Sequence, residues 1–176
     1  FEPPDDQETQ TAVATALAQL AETETAATDT ALSAQATSVQ QTAEALDALL
    51  ERIFSEHAID TIMHFAAHTI VPESVADPLK YYRNNTCSSR TLLEVAARHK
   101  VRNFVFSSTA AIYGTPETDI IDEEHPKRPI NVYGQTKLAM EQLLEALCAA
   151  APFNAVCLRY FNAAGAASDG SIGEWH

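Results

Sequence analysis

Glycine is scarce in this chain: five residues in 176, and none before Gly114. A glycine-rich turn that brings backbone close to a phosphate therefore has no place ahead of Gly114. Lysine and arginine are missing until Arg52, and 11 basic residues face 24 acidic ones, for a net charge of −13. That balance argues against nucleic acid or an anionic membrane as partner. No CxxC pair occurs. Cys87, Cys148 and Cys157 are odd in number and widely spaced, which excludes a disulfide framework. Cys148 and Cys157 fall in apolar helix and strand patterns and are expected to be buried, reduced thiols. No apolar run reaches the length of a membrane span, and the basic-then-apolar order of a signal peptide is lacking, so a cytoplasmic protein is expected. Asn84-Asn85-Thr86 fits a glycosylation sequon, which without an export signal reads as chance.

What is present has two textures. Residues 1–45 are dominated by Ala, Thr, Gln, Glu and Asp, an acidic Ala/Thr-rich helical or partly disordered arm. Val13, Leu17 and Leu20 sit at helical spacing, as do Leu46, Leu49, Leu50 and Ile53. Between Ala21 and Val39 the stripe thins to alanines plus Leu32, too little for a heptad seam, and the threonines lower helix propensity. Residues 46–176 instead alternate strand and helix signals. "ALLERIFSEH" closes a helix, and "IDTIMHF" (59–65) is a short apolar run of buried-strand type. "DPLKYYRNNTCSSRTLLEVAARHK" (77–100) carries Pro near its first turn and apolar residues at helical spacing, and predicts one long helix. "RNFVFSS" (102–108) and "NAVCLRYF" (154–161) predict two further strands, with a helix from about Tyr133 between them. This order predicts an α/β fold, a parallel sheet wound in βαβ units with flanking helices. Ligands of such sheets collect at the carboxyl ends of the strands, here residues 64–69, 107–109 and 160–162.

"NVYGQTKLAMEQLLEAL" (131–147) sets Tyr133 and Lys137 four positions apart at a helix start. An ammonium one turn from a phenol favours the phenolate, and a second positive charge such as an oxidised nicotinamide adds to the effect. Thr109, at the end of the preceding strand, offers a hydroxyl for the same substrate oxygen. A threonine, a tyrosine and a lysine at adjoining strand ends suit proton removal from an alcohol during hydride transfer. The Tyr-x-x-x-Lys spacing alone arises often by chance; the surrounding order of elements gives it weight.

Four ordered stretches carry a resemblance: "IMHFAAHTIVPESVADPLKYYRNNT", "NFVFSSTAAIYG", "PINVYGQTKLAMEQ" and "LRYFNAAGA". Over about residues 46–176 the chain resembles the extended short-chain dehydrogenase/reductase family, closest to its UDP-glucose 4-epimerase branch, and the final "IGEWH" fits the same pattern. A sugar-nucleotide 4,6-dehydratase would place Asp-Glu after the motif threonine, where this chain has Ala110 and Ala111. The resemblance implies an incomplete Rossmann-like domain, NAD as cofactor, a UDP-sugar substrate and a possible homodimer. It implies Tyr133 as catalytic base, Lys137 as its partner on the nicotinamide ribose, and Thr109 on the 4-hydroxyl of the sugar. Phe65, Ala66, Ala67, His68 and Thr69 match the loop over the cofactor. Asn85, Ser107 and Phe161 match cofactor contacts, and Asn162 matches a substrate-phosphate contact.

Two features depart from that pattern. The glycine turn that anchors the pyrophosphate has no counterpart, nor has the acidic residue on the adenine ribose. The competing reading is therefore a non-enzymatic remnant or interaction protein with a vestigial site; another epimerase or dehydratase of the family is the alternative enzyme. Four simpler features are set aside. His64 and His68 straddle a strand end with no third ligand at convincing spacing, so no metal is expected. Asp122, Glu123 and Glu124 read as a solvated loop. Tyr81 and Tyr82 read as core and helix-surface residues. No G-x-S-x-G turn surrounds Ser107 and Ser108, which rejects a serine nucleophile.

Overall fold

The computed structural model describes residues 7–173. It divides the chain into two compact units, Phe1–Ala45 and Leu46–His176. Helix α1 runs Gln7–Glu56. In the first unit its threonines turn their hydroxyls onto carbonyls one turn back, Thr23 on Gln19, Thr30 on Ala26, Thr37 on Ser33 and Thr42 on Ser38. Each hydroxyl is thereby satisfied within the helix, at a slight cost to helix stability. The expected stripe at Val13, Leu17 and Leu20, and the end of "IGEWH" (174–176), lie outside the described residues and side chains.

The second unit is built on a parallel sheet of β1 (Thr61–His64), β2 (Asn103–Thr109) and β3 (Asn154–Tyr160), in that spatial order. The register sets Ile62 beside Phe104, and Phe104 beside Ala155. Period-two alternation sends Phe104 and Phe106 of β2 to one face. There they meet Leu93 of α4 (Ser89–Arg98), Met140 and Leu144 of α5 (Val132–Ala150), and Phe153. A second cluster, Phe54, Val95, Ala96 and Val101, packs the end of α1 on α4. Arg98 there reaches Asp47 and Glu51 at 2.6 Å each.

The structure departs from the sequence reading in three places. The stretch 77–100 is helical but is not one α-helix. It comprises α3 (Pro78–Tyr81), a π-helical segment (Tyr82–Ser88) and α4. Asp77 caps α3 by accepting from the Lys80 amide at 3.1 Å. The wide turn holds one residue more than an α-turn and carries the buried Asn85. A short helix, α2 (Val71–Ala76), occupies residues to which the sequence reading gave no element; Pro72 and Glu73 in its first turn were its signal. Third, the edge strands are not covered on both faces: Met63 is 65% and Val156 55% exposed. Cys148 and Cys157 are also less buried than expected, both being half-buried, and Cys87 is exposed.

Candidate active site

Helix α5 starts where its sequence says it should. Asn131 caps it, its side chain accepting from the Gly134 amide at 2.8 Å. The Tyr133 amide donates to the hydroxyl of Ser74, buried on α2, at 3.2 Å. Gly134 has no room for a side chain, because a Cβ there would lie 2.6 Å from the Ala111 carbonyl oxygen. The glycine thus lets the turn carrying Tyr133 abut the 3₁₀ turn Ala110–Ile112, which starts at Thr109. The Thr109 hydroxyl accepts from the Ala111 amide at 3.1 Å. Among the described residues no hydrogen bond links the Thr109 and Tyr133 hydroxyls.

Lys137, one turn along α5, is 3% exposed. Its Nζ donates to the Ser107 carbonyl oxygen at 2.6 Å, and lies 4.8 Å from the Phe106 ring centroid and 5.9 Å from that of Tyr133. Burial lowers its pKa to about 8. His64 of β1 faces the same region. Burial and then the Lys137 charge hold it below the ordinary histidine value, and its Nε2 pairs with Ser89 Oγ at 2.9 Å.

Asn85 holds the loop after β1 through its side-chain amide. Asn85 accepts from the His68 amide at 2.8 Å and donates to the His68 carbonyl at 2.9 Å, while reaching Thr136 Oγ1 at 3.4 Å. The amide thereby mimics a strand partner. Phe65, Ala66 and Thr69 are exposed, with Ala67 and His68 half-buried. Phe161 and Asn162, past the end of β3, are exposed. The site residues therefore gather at the carboxyl ends of the strands. Lys137, Ser107 and Tyr133 are in contact there, whereas Phe161 and Asn162 stand free of these contacts. The His68 ring packs on Tyr81, which is wholly buried, while Tyr82 is exposed. Asp122, Glu123 and Glu124 are exposed, and no cluster of metal-ligating groups occurs among the described residues.

Sequence reasoning missed Ser74, Ser108, Glu141 and Arg159. Glu141, 6% exposed, takes a hydrogen bond from Ser108 Oγ at 2.6 Å and pairs with Arg159 at 2.9 Å. The available signal was an acid amid the apolar positions of α5 and an arginine inside the strand "NAVCLRYF".

Comparison with known proteins fits this geometry. The family model for the NAD dependent epimerase/dehydratase family matches residues 9–173, beginning within the acidic arm. The UDP-glucose 4-epimerase of Halalkalibacterium halodurans is 51% identical over 130 residues, which cover 74% of this chain and 39% of that enzyme. The UDP-glucose 4-epimerase structure from Bifidobacterium longum, in complex with NAD+ and UDP, is 46% identical with a TM-score of 0.69 over 73% of this chain and 39% of that one. The Brucella ovis enzyme in complex with NAD gives 43% and 0.69, over 74% and 40%. The chain thus spans about two fifths of the length of the relatives it matches. The parallel sheet, the helix presenting Tyr133 and Lys137 beside it, and the reach of the family match lead to one conclusion: the chain belongs to the NAD dependent epimerase/dehydratase family.

Proposed function

We propose that this chain carries the proton-transfer half of a UDP-glucose 4-epimerase site, interconverting UDP-glucose and UDP-galactose with NAD as cofactor. The observation that carries the reading is Lys137. It is a buried ammonium on the Ser107 carbonyl, beside the Tyr133 ring, at the carboxyl ends of three parallel strands. In this reading Tyr133 takes the proton from the 4-hydroxyl of the sugar and Thr109 binds the same oxygen. Lys137 stabilises the phenolate that proton removal requires. Asn162 meets the substrate phosphate.

The residues present fit the nicotinamide end of NAD. A buried cation, the Ser107 carbonyl and the exposed Phe65 and Phe161 rings offer polar contacts and an apolar wall. Lys137 and Ser107 would hold the ribose; residues 65–69, with Asn85 fixing their backbone, would line the ring. NAD supplies the hydride acceptor. A glycine turn for its pyrophosphate end is not among these residues; the second reading is a non-enzymatic remnant or interaction protein with a vestigial site. The reading suits a reducing compartment such as the cytoplasm, given three free cysteines. A homodimer is supported by the exposed Val75, Leu79 and Tyr82 on neighbouring helices.

Calorimetric titration of the purified chain with NAD tests the reading, alongside Tyr133→Phe and Lys137→Met and an assay of UDP-galactose turnover. Sub-millimolar binding weakened by Lys137→Met supports it; turnover by the chain alone is expected to be negligible. Binding that neither substitution alters, or none at all, would overturn it.

A further inference from the structure

The helix–sheet layer below Tyr133 and Lys137 contains a buried ion pair where apolar contacts would suffice. Glu141 lies one turn beyond Lys137 on α5, and its carboxylate takes four hydrogen bonds. Ser108 Oγ donates to Oε1 at 2.6 Å; Arg159 donates from Nε to Oε1 at 3.1 Å and to Oε2 at 3.3 Å, and from Nη2 to Oε2 at 2.9 Å. Both ends of this array touch the site. Ser108 stands between Ser107, whose carbonyl holds Lys137, and Thr109. Arg159 is the register partner of Ser108 on β3, just ahead of Tyr160 and the exposed Phe161 and Asn162. Its Nη1 also donates to the Tyr113 hydroxyl at 2.8 Å and the Glu123 carbonyl at 3.1 Å, which pins the loop following Thr109.

Desolvating a carboxylate and a guanidinium is costly, and a well-packed apolar pair of similar volume often serves stability as well or better. What an apolar pair lacks is direction. Four hydrogen bonds onto one carboxylate define both the rotation of α5 and its position along β2. The geometry points to Glu141 and Arg159 as positioning residues. Their pair holds α5 against β2 and β3 at the register that sets Lys137 on the Ser107 carbonyl, and neither residue touches the reacting atoms. This deepens the reading of the site given above and rests on it.

The test follows Lys137 itself in the full chain, by NMR titration of isotopically labelled lysine, with Lys137→Met assigning the signal. The titratable neighbours facing it are His64 from β1 and Tyr133 from its own helix, and both are kept. The double variant Glu141→Leu/Arg159→Met leaves no unpaired buried charge. It is expected to unfold cooperatively near the wild-type midpoint. Its Lys137 signal should titrate at least about one pH unit higher, toward the ~10.4 of a solvated lysine, as the released register admits water. Ser108→Ala removes one of the four hydrogen bonds and is expected to move Lys137 the same way by less; it decides the matter if the double variant does not fold. A Lys137 titration unchanged in either folded variant overturns the proposal. Titrating the same samples with NAD separates the two claims. Wild type that fails to bind NAD while Lys137 still shifts overturns the epimerase reading and leaves the positioning role. NAD binding with no Lys137 shift does the reverse.

Discussion

At the scale of single residues, Lys137 is where fold and function pull apart. The residue is 3% exposed, and burial lowers its pKa to about 8, against ~10.4 for a free lysine. Between those values the unfolded chain holds a proton that the folded chain has released, so this group makes stability rise with pH across that window. Below about 8 both states are protonated and the fold carries the whole penalty, up to about 3 kcal/mol. The Cys157 thiol, pushed up to about 11 by burial, acts in the opposite sense, since its stabilising contribution is lost as pH rises from about 9 toward 11. The difference between wild type and Lys137→Met isolates the lysine. Urea unfolding is expected to show the variant more stable at pH 7 by about 1–3 kcal/mol, with the gap closing by pH 10. A variant less stable at pH 7 would mean that the Ser107 contact outweighs desolvation. Tyr-x-x-x-Lys was legible in the sequence as a spacing. The burial and the carbonyl partner of the lysine were not, because they depend on a β2 backbone 30 residues away.

At the scale of elements, the π-helical segment Tyr82–Ser88 positions Asn85 on the loop after β1. Asn85→Ala removes both bonds to the His68 backbone and leaves a buried gap. A loss of about 2 kcal/mol is expected, together with faster hydrogen exchange at the His68 amide while the α5 amides stay protected. Unchanged exchange at His68 would show the loop to be held by other contacts. The strands and α5 could be read from the sequence because their signals are local: apolar runs of strand length, and a helical apolar pattern from about Tyr133. The wide turn could not. One inserted residue leaves composition and apolar spacing almost unchanged, and what distinguishes it is a partner 17 residues back along the chain. Glu141 and Arg159 show in the sequence only as charges among apolar positions, and their pairing emerges once register sets Ser108 beside Arg159.

At the scale of the second unit, helices among the described residues cover one face of the sheet. Phe104 and Phe106 are buried under α4 and α5, whereas the opposite side shows Met63 at 65% exposure, Val156 at 55% and Tyr160 at 43%. Among the described residues β1 and β3 also lack a partner on their outer edges. The sequence reading foresaw a parallel sheet and took residues 59–65 as a buried-type strand, since strand sequences specify apolar faces without naming what covers them. An open apolar face with two unpaired edges adds a second contact to the Val75, Leu79 and Tyr82 patch proposed for a dimer, so association through it continues beyond two copies. Sedimentation velocity is therefore expected to show species that grow with concentration. Met63→Glu/Val156→Glu places charges on both edge strands of that face without touching Lys137 or its partners, and is expected to reduce the distribution to one discrete species. High salt should not dissociate the wild-type species, because the contact is apolar. A wild-type chain that sediments as a single species at all concentrations, and does not bind a hydrophobic dye, would show that the face is not available in solution.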